Sequence, residues 1–154
     1  MTGRLLVVHH TPSPATQALL EAALAGAAVE ELHGLVVTTR PALSAGAADV
    51  LAADAVVLAT PANIGYMSGA LKHFFDTVYY PCLTDTVGLS YGVYVHGNDD
   101  TAGAVRSIRT VTTGMSWRPV AEPISVVGSP SSDDLEAVAE LAATVGAYAL
   151  GIME

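Results

Sequence analysis

Hydroxyl-bearing residues stand between a strongly apolar run and a helical pattern near the start of the sequence. The apolar run, residues 5–8, is followed by residues 9–17 (HHTPSPATQ), which we call the first loop. A strand that turns directly into a helix aims free backbone amides and the positive end of the helix dipole at one point, and that point suits an anion. Thr11, Ser13 and Thr16 can add side-chain donors, although the loop has no Lys or Arg. A plain capped helix start explains the same residues, and the loop by itself does not decide between the two interpretations.

Two more polar loops follow apolar runs in the same way. The second loop, residues 60–69 (TPANIGYMSG), follows the run 55–59. It is longer than a plain connection, which favours a functional role. The third loop, residues 96–101 (HGNDDT), follows the run 92–95 and taken alone is typical of a turn with a helix cap. Ligands of doubly wound sheets bind outside the carboxyl ends of the strands, so the three loops together predict one binding crevice.

Several familiar kinds of site are missing from the sequence. A P-loop needs Gly-Lys-Thr or Gly-Lys-Ser, and a dinucleotide fingerprint needs three spaced glycines; the chain has neither. The adjacent His9 and His10 would point to opposite faces of an extended segment and cannot jointly bind a metal. There is no Gly-x-Ser-x-Gly elbow, and the one cysteine, Cys82, has no sign of activation. We therefore predict no catalytic residue and no metal site.

Two alternating patterns predict the elements that position these loops. Strands are predicted at residues 5–8, 35–39, 55–59, 92–95 and 124–127, with the second strand at an edge. Helices are predicted over residues 16–26, 47–53, 68–80, 99–113 and 133–149. Strands that are apolar throughout are covered on both faces, and right-handed crossovers then give a doubly wound α/β sheet of five parallel strands in the order 2-1-3-4-5. Without any linker, the chain is expected to form a single domain over residues 1–154.

Composition narrows the classes of partner. The 154 residues are 51% hydrophobic and 14% charged, with a formal net charge of -9. So acidic a chain has no basic surface to neutralise phosphates, and we expect neither nucleic acid nor an anionic membrane as a partner. A single cysteine, the lack of a bilayer-spanning apolar stretch and the lack of a signal-peptide pattern predict a reducing, cytoplasmic location.

The second loop and the helix after it contain a motif that covers a dozen positions. The segment reads Thr60-Pro61-x-Asn63-Ile64-Gly65-x-Met67-Ser68-Gly69-x-Leu71-Lys72-x-Phe74-x-Asp76. This motif resembles the second loop of the flavodoxin-like superfamily, in particular its NAD(P)H-dependent FMN reductase and multimeric-flavodoxin branch, and the order of predicted elements matches too. The resemblance implies a flavodoxin-like three-layer sandwich that binds FMN noncovalently and uses NAD(P)H as a possible co-substrate.

The resemblance also implies which residues hold the flavin. The FMN phosphate would lie on the first loop, at Thr11, Ser13, Thr16 and Gln17. The second loop would line the isoalloxazine ring with Pro61, Ala62, Asn63, Ile64 and Gly65. The third loop would close the pyrimidine side with His96, Gly97, Asn98 and Asp99. The first loop departs from the family, because the usual glycine or extended Ser-x-Arg segment is replaced by Thr-Pro-Ser-Pro-Ala-Thr.

Functions from different classes fit these features. One is an enzyme that takes hydride from NAD(P)H and passes it to free flavin, a quinone or a similar small acceptor. Another is a short flavodoxin that carries single electrons between redox proteins. The scarcity of aromatic residues in the loops favours the enzyme because one flavin face stays open, whereas the acidic charge favours the carrier. A binding module without flavin is a third alternative, supported only by the compact first loop.

The helix predicted over residues 68–80 has more aromatic surface than one packed face requires. Phe74, Phe75, Tyr79 and Tyr80 lie in its second half. An exposed aromatic patch usually marks an interface, and a two-fold dimer is the commonest closed assembly. We therefore expect a homo-oligomer that forms through this aromatic face.

Overall fold

A computed structural model describes the whole chain, residues 1–154, around a central sheet of parallel strands. In chain order the strands are β1 (Gly3–His9), β2 (Leu35–Pro41), β3 (Ala55–Asn63), β4 (Tyr66–Met67), β5 (Ser90–Gly97), β6 (Arg118–Pro119) and β7 (Ile124–Val127). The sheet runs β2-β1-β3-β5, and β6 and β7 share the fifth position because both pair with β5. The predicted order of five strand positions is confirmed. Two features were not predicted: the last strand is divided, and β4 pairs antiparallel with the end of β3.

Helices connect the strands and cover both faces of the sheet. They are α1 (Pro14–Ala27), a short 3-10 helix (Glu30–Leu32), α2 (Ala47–Ala52), α3 (Gly69–Cys82), α4 (Ala102–Gly114) and α5 (Ser132–Ala149). One face packs against α1 and α5, and the other packs against α2, α3 and α4. This is the three-layer α/β arrangement that the alternating pattern predicts. None of the helices is both long enough and apolar enough to cross a bilayer.

The strands that are apolar throughout are buried on both sides. In β1, Leu6 and Val8 join the core beneath α2, α3 and α4, whereas Leu5 and Val7 join the core beneath α1 and α5. All four side chains are at most 2% exposed. Because side chains alternate between the faces of a strand, only a sheet that is covered on both sides buries four consecutive residues.

Helix α5 approaches its neighbours so closely that glycine is required at the contacts. A Cβ atom at Gly26 of α1 would collide with the backbone carbonyl of Ala139 in α5. A Cβ atom at Gly92 of β5 would lie 2.7 Å from Cγ2 of Val145 in α5. The first and last helices are therefore packed backbone against backbone, and α5 rests directly on the sheet.

Two helix boundaries differ from the sequence prediction. Helix α3 runs through Pro81 to Cys82 instead of ending at Tyr80. Helix α4 begins at Ala102 and not at Asp99, because Asp100 accepts a hydrogen bond from the Ala102 N–H (2.9 Å) and closes the turn before the helix.

The core takes up half of the aromatic group on α3, including Phe75, which we expected at the border of the exposed face. Phe74 and Phe75 are both buried in the core. The Phe75 ring centroid lies 5.4 Å from that of Phe74 and 6.3 Å from that of Trp117. Trp117 belongs to the connection between α4 and β6, so this connection covers the side of α3 that we expected to face solvent. Tyr80 alone keeps most of its side chain exposed, at 81%.

Candidate functional site

The three polar loops meet at the carboxyl edge of the sheet. His9 at the end of β1 lies beside Ala59 of β3, which in turn lies beside Tyr94 of β5. Two residues further along each strand, Pro61 of β3 pairs with His96 of β5. Adjacent strands are about 4.8 Å apart, so the ends of the three strands fall within about 10 Å of one another. The fold thus brings all three loops to one place.

Ser13 and Thr16 of the first loop cap helix α1. The Ser13 Oγ accepts a hydrogen bond from the Thr16 N–H (3.2 Å), and the Thr16 Oγ1 accepts one from the Ser13 N–H (3.0 Å). This reciprocal capping box satisfies two backbone donors of the loop. The two interpretations of the loop are therefore not exclusive: the helix is capped, and its N-terminus still faces the crevice.

The first loop keeps a small set of donors for an anion. Pro12 and Pro14 have no N–H, whereas the N–H groups of Thr11 and Ala15 have no acceptor within the chain. The Ser13 hydroxyl accepts from the Thr16 backbone and lies 2.9 Å from the Thr16 hydroxyl, so the two hydroxyls share a hydrogen bond. With the positive end of the α1 dipole behind them, these groups form an uncharged anion site of modest size.

Two histidines, His9 and His10, stand at the start of the first loop, which has no lysine or arginine. His9 is half-buried, and its Nδ1 lies 2.8 Å from the Thr11 Oγ1. Burial, and to a smaller extent the neighbouring His10, lowers the pKa of His9 below its ordinary value of 6.5. An anion bound at the loop would act in the opposite direction, because an opposite charge favours the imidazolium form. Gln17 is exposed, and its amide donates to Glu21 (3.3 Å).

The second loop is a tight hairpin and not an irregular connection. Asn63 of β3 pairs with Tyr66 of β4, so Ile64 and Gly65 form a two-residue turn. Their φ angles are 52° and 69°, and two positive φ values define a type I′ turn. This conformation suits Gly65 but strains a β-branched residue such as Ile64, which is fully exposed. Such strain is characteristic of ligand-binding turns.

Contacts with α4 and a hydrogen bond within the second loop hold the hairpin in place. The Ser107 Oγ of α4 accepts a hydrogen bond from the Met67 N–H (3.1 Å), and the Thr60 Oγ1 accepts one from the Ser68 N–H (3.0 Å). The carbonyl of Gly65 rests on Gly103 of α4, where any Cβ atom would collide with it. The sequence prediction missed Gly103 and Ser107. A glycine in the first turn of a helix was the available signal, because such a glycine usually marks a close backbone contact.

The third loop presents fewer free side chains than predicted. His96 is buried, and its Nε2 lies 2.8 Å from the carbonyl oxygen of Gly128, so the ring is held against the end of β7. Gly97 is buried beside Thr101. Asn98 and Asp99 are exposed at the crevice. Of the four residues predicted here, these last two are the ones with side chains free to meet a ligand.

Tyr94 is an unusual residue beneath the crevice. Its ring is buried in the core under α1 and α5, and its hydroxyl has no hydrogen-bond partner. Burial raises the pKa of this hydroxyl, which therefore stays protonated as a donor. An unsatisfied buried donor costs about 1 to 3 kcal/mol. The sequence showed only a tyrosine within an apolar run and gave no sign of this.

The structure assembles no cluster of metal ligands, and its single thiol is buried. No group of three or more His, Cys, Asp or Glu side chains could hold a metal ion. Cys82 is buried, and burial, with a smaller contribution from Asp85, raises the pKa of its thiol. His73 is exposed on α3.

The crevice fits a flavin mononucleotide. A single terminal phosphate matches the free Thr11 and Ala15 N–H groups at the start of α1, whereas no charged group is present there for a second phosphate. The exposed turn at Ile64 and Gly65 offers backbone N–H and C=O groups to the edge of a ring, with no atom within 4 Å of a Cβ built at Gly65. The residues present thus supply the donors that a phosphate and a flat polar ring require.

Comparisons with known proteins point the same way. Residues 24–130 match the family model described as NADPH-dependent FMN reductase. No curated protein sequence matches the chain.

Several solved structures share the fold. A flavodoxin, WrbA-like protein from Agrobacterium tumefaciens is 18% identical with a TM-score of 0.78, over 97% of this chain and 99% of that one. A flavodoxin from the domain Archaea is 16% identical with a TM-score of 0.79, over 93% and 96%. The flavodoxin of Streptococcus pneumoniae TIGR4 is 22% identical with a TM-score of 0.76, over 94% and 98%. At these identities the likeness establishes the flavodoxin-like fold alone.

Proposed function

The chain belongs to the NADPH-dependent FMN reductase family, and we propose that it is an FMN-dependent reductase that passes hydride from NAD(P)H to a small acceptor such as free flavin or a quinone. The observation that carries the proposal is the family match over residues 24–130, which spans the second and third loops. FMN is the cofactor of this family. The hydride donor, NAD(P)H, and the small hydride acceptor are what we add to it.

Different loops would bind different parts of FMN. Thr11, Ser13 and the start of α1 would bind the phosphate, and the turn at Ile64 and Gly65 would meet the ring. When bound, FMN supplies hydride chemistry at its ring without needing an acid, base or nucleophile from the protein. The residues of the chain bind and orient it, and they leave one side of the crevice open to a second substrate.

Aromatic cover distinguishes a reductase from an electron carrier. A carrier shields its flavin ring with aromatic side chains, whereas a reductase must admit a nicotinamide. The second loop has one aromatic residue, Tyr66, which is 43% exposed, and the third loop has none. This scarcity supports the reductase. The net charge of -9 supports the second candidate, a one-electron carrier that docks basic redox partners through its acidic surface.

Anaerobic reduction of the FMN-loaded protein separates the two candidates. A reductase would oxidise NADPH with free FMN or a quinone as acceptor, and photoreduction would pass directly to the two-electron reduced flavin. A carrier would accumulate a long-lived blue one-electron form and would oxidise NAD(P)H only at the rate of free FMN. The second result would overturn the reductase proposal.

Placement of the flavin ring on the second loop has its own test. Gly65→Val should lower FMN affinity, because valine disfavours the positive φ and crowds the ring. Gly88→Val is the matched control, since Gly88 also has a positive φ (81°) and open space around it but precedes β5 at the opposite edge of the sheet. Equal FMN affinities in the two variants would count against this placement.

We also propose that the protein self-associates through Tyr79 and Tyr80, the two tyrosines of α3 that the core leaves accessible. Their rings form an edge-to-face pair at 5.1 Å beside a cavity of about 240 Å³. Sedimentation at micromolar concentration should show a dimer that Tyr80→Glu dissociates, because the substitution buries an unpaired charge. Val87→Glu is the control at another exposed apolar residue. A strictly monomeric protein would refute the proposal.

A further inference from the structure

The few cations of this acidic chain are unevenly distributed. The sequence has six Lys and Arg residues in all. Two are paired within their own neighbourhoods: Arg40 with Asp49 (3.4 Å) and Lys72 with Asp76 (2.6 Å). The other four form no ion pair, and three of these, Arg106, Arg109 and Arg118, are exposed and line neighbouring cavities. Half of the positive charge is thus unpaired on one side of the molecule.

These three arginines line a groove that the divided fifth strand creates. Strand β6 pairs with Ser90 and Tyr91, and β7 pairs with residues 94–97, so Gly92 and Val93 of β5 have no strand partner on this side. Residues 120–123 loop outward between the two short strands. Three neighbouring cavities lie between this segment and α4, and Arg109 lines each of them.

The groove has two roomy ends with different linings. One end, of about 450 Å³, lies between Arg118, Arg109 and Tyr148. There the Arg118 guanidinium lies over the Tyr148 ring, 5.3 Å from its centre, in a cation–π contact. The other end, of about 430 Å³, lies between Arg106 and Thr101, which is the last residue of the third loop. The groove therefore runs from the Arg118–Tyr148 contact to the start of α4, beside the third loop.

The length of the groove matches a dinucleotide. Thr101 and Arg109 are eight residues apart at the start and in the middle of α4. At 1.5 Å per residue, this separation corresponds to about 12 Å along the helix axis. An adenosine group at the Tyr148 end would thus lie one extended pyrophosphate linkage away from the third loop.

We propose that this groove binds the adenosine half of NADP(H), with the 2′-phosphate on Arg109 and Arg118 and the pyrophosphate near Arg106. Guanidinium groups match phosphate oxygens in both charge and geometry. The adenine base stacks on the Arg118 guanidinium, which is itself backed by the Tyr148 ring, as bases do on guanidinium planes. The nicotinamide then reaches the crevice past Thr101. The inference rests on the proposed function and extends it to a choice of NADPH over NADH.

Glu122 makes the groove selective among anions. It is the one carboxylate that lines the groove, and it forms no ion pair with the arginines. A carboxylate there accepts hydrogen bonds from ribose hydroxyls or from the adenine amino group, whereas it repels a bare phosphate. A nucleotide that carries both hydroxyl donors and a phosphate therefore fits better than a simple inorganic anion.

Calorimetric titration of the FMN-loaded protein with NADP⁺, NAD⁺ and 2′,5′-ADP tests this assignment. NADP⁺ should bind about 10- to 100-fold more tightly than NAD⁺, which is the usual range for charge-assisted hydrogen bonds, and 2′,5′-ADP should compete with it. Arg109→Ala and Arg118→Ala should each remove most of the preference without changing FMN affinity. Arg4→Ala, at an exposed arginine outside the groove, should leave the preference intact.

Equal affinities of the wild-type protein for NADP⁺ and NAD⁺, or an undiminished preference in both groove variants, would overturn the assignment. The proposed function fails separately. A protein that binds NADP⁺ through Arg109 but does not oxidise NADPH refutes the reductase and leaves the groove standing. Turnover with NADPH and NADH at equal efficiency in every variant supports the reductase and refutes the groove.

Discussion

The first and second loops reach the same edge of the sheet but are held there by opposite means. The first loop is stabilised by its own residues, through the reciprocal bonds of Ser13 and Thr16, which are three residues apart. The second loop is stabilised from elsewhere, through Ser107, which is 40 residues from its partner Met67, and through Gly103. The first loop adopts relaxed geometry, whereas the second holds Ile64 at a strained φ.

This difference predicts different roles for the two loops. The first loop would bind the phosphate, and the second loop would tune the behaviour of the flavin ring. A locally capped helix start forms wherever its short sequence is present, so the phosphate end of the crevice should keep its shape with or without ligand. A turn that distant contacts hold in an unfavourable conformation depends on the whole fold, and it can respond to changes at the ring. The second loop is therefore the place where substitution should alter flavin behaviour most.

Gly103→Ala should have the largest effect on the second loop. Its Cβ would meet the backbone carbonyl of Gly65, which cannot rotate away as a side chain could. We expect a destabilisation of about 1 to 3 kcal/mol, as for other overpacked contacts, together with a marked loss of FMN affinity. Gly46→Ala, at the start of α2 with open space around it and outside the three loops, is the control. Thermal unfolding and FMN fluorescence titration measure both quantities, and normal FMN binding by Gly103→Ala would show that α4 does not support the turn.

Ser13→Ala should weaken the first loop in two ways. Loss of an N-cap hydroxyl costs about 1 kcal/mol of stability, and FMN affinity should fall as well if, as we propose, the first loop binds the phosphate. Ser131→Ala removes the equivalent hydroxyl from the capping box of α5, outside the three loops, and should cost stability alone. If both variants bind FMN as the wild-type protein does, the Ser13 hydroxyl caps the helix and does nothing more.

Ile64→Asn should stabilise the protein by about 0.5 to 1 kcal/mol. Asparagine tolerates the left-handed conformation better than isoleucine, and Asn-Gly is the preferred pair for a type I′ turn. The side chain of Ile64 is fully exposed, so no packing is lost. Ile152→Asn supplies the same chemical change at an exposed residue outside the turn. Chemical denaturation of the apoprotein checks the gain, and a loss of stability in Ile64→Asn alone would mean that the turn is not strained.

The smallest effect expected is a pH dependence at the first loop. The pKa of His9 is lowered in the folded protein, so this residue contributes stability above pH 6.5 that is lost as the pH falls through the folded-state pKa. His9→Gln should reduce the acid sensitivity of the apoprotein, whereas His33→Gln, at an exposed histidine, should not. Bound FMN should raise the pKa of His9, which NMR titration can follow. An unchanged His9 titration in the presence of FMN would place the phosphate elsewhere.

Sequence alone predicted the elements whose signals are local. Apolar runs such as residues 5–8 identified the strands because a sheet covered on both faces buries every residue, and the helical spacing in residues 133–149 identified α5 to within one residue. The order of the strands followed from handedness and the placing of the loops. These are properties that a window of ten or twenty residues contains.

What the sequence did not reveal depends on distant contacts. Strand β4 has two residues, and the N–H of its Met67 donates a hydrogen bond to the Ser107 Oγ of α4. Phe75 is buried because Trp117 covers it. His96 is turned away from solvent by the carbonyl of Gly128. In each case the partner is more than 30 residues away, beyond the reach of periodicity or motif spacing.

The close contact between Gly26 and Ala139 also bears on how the protein is made. The sheet face that includes Leu5 and Val7 is covered by α1 and α5 together, and α5 is synthesised after every strand. At 5 to 20 residues per second, the ribosome needs roughly ten seconds to proceed from the end of α1 to the end of α5. During that interval the nascent chain displays an apolar surface that only its last helix can close, and this is the surface that a chaperone would recognise.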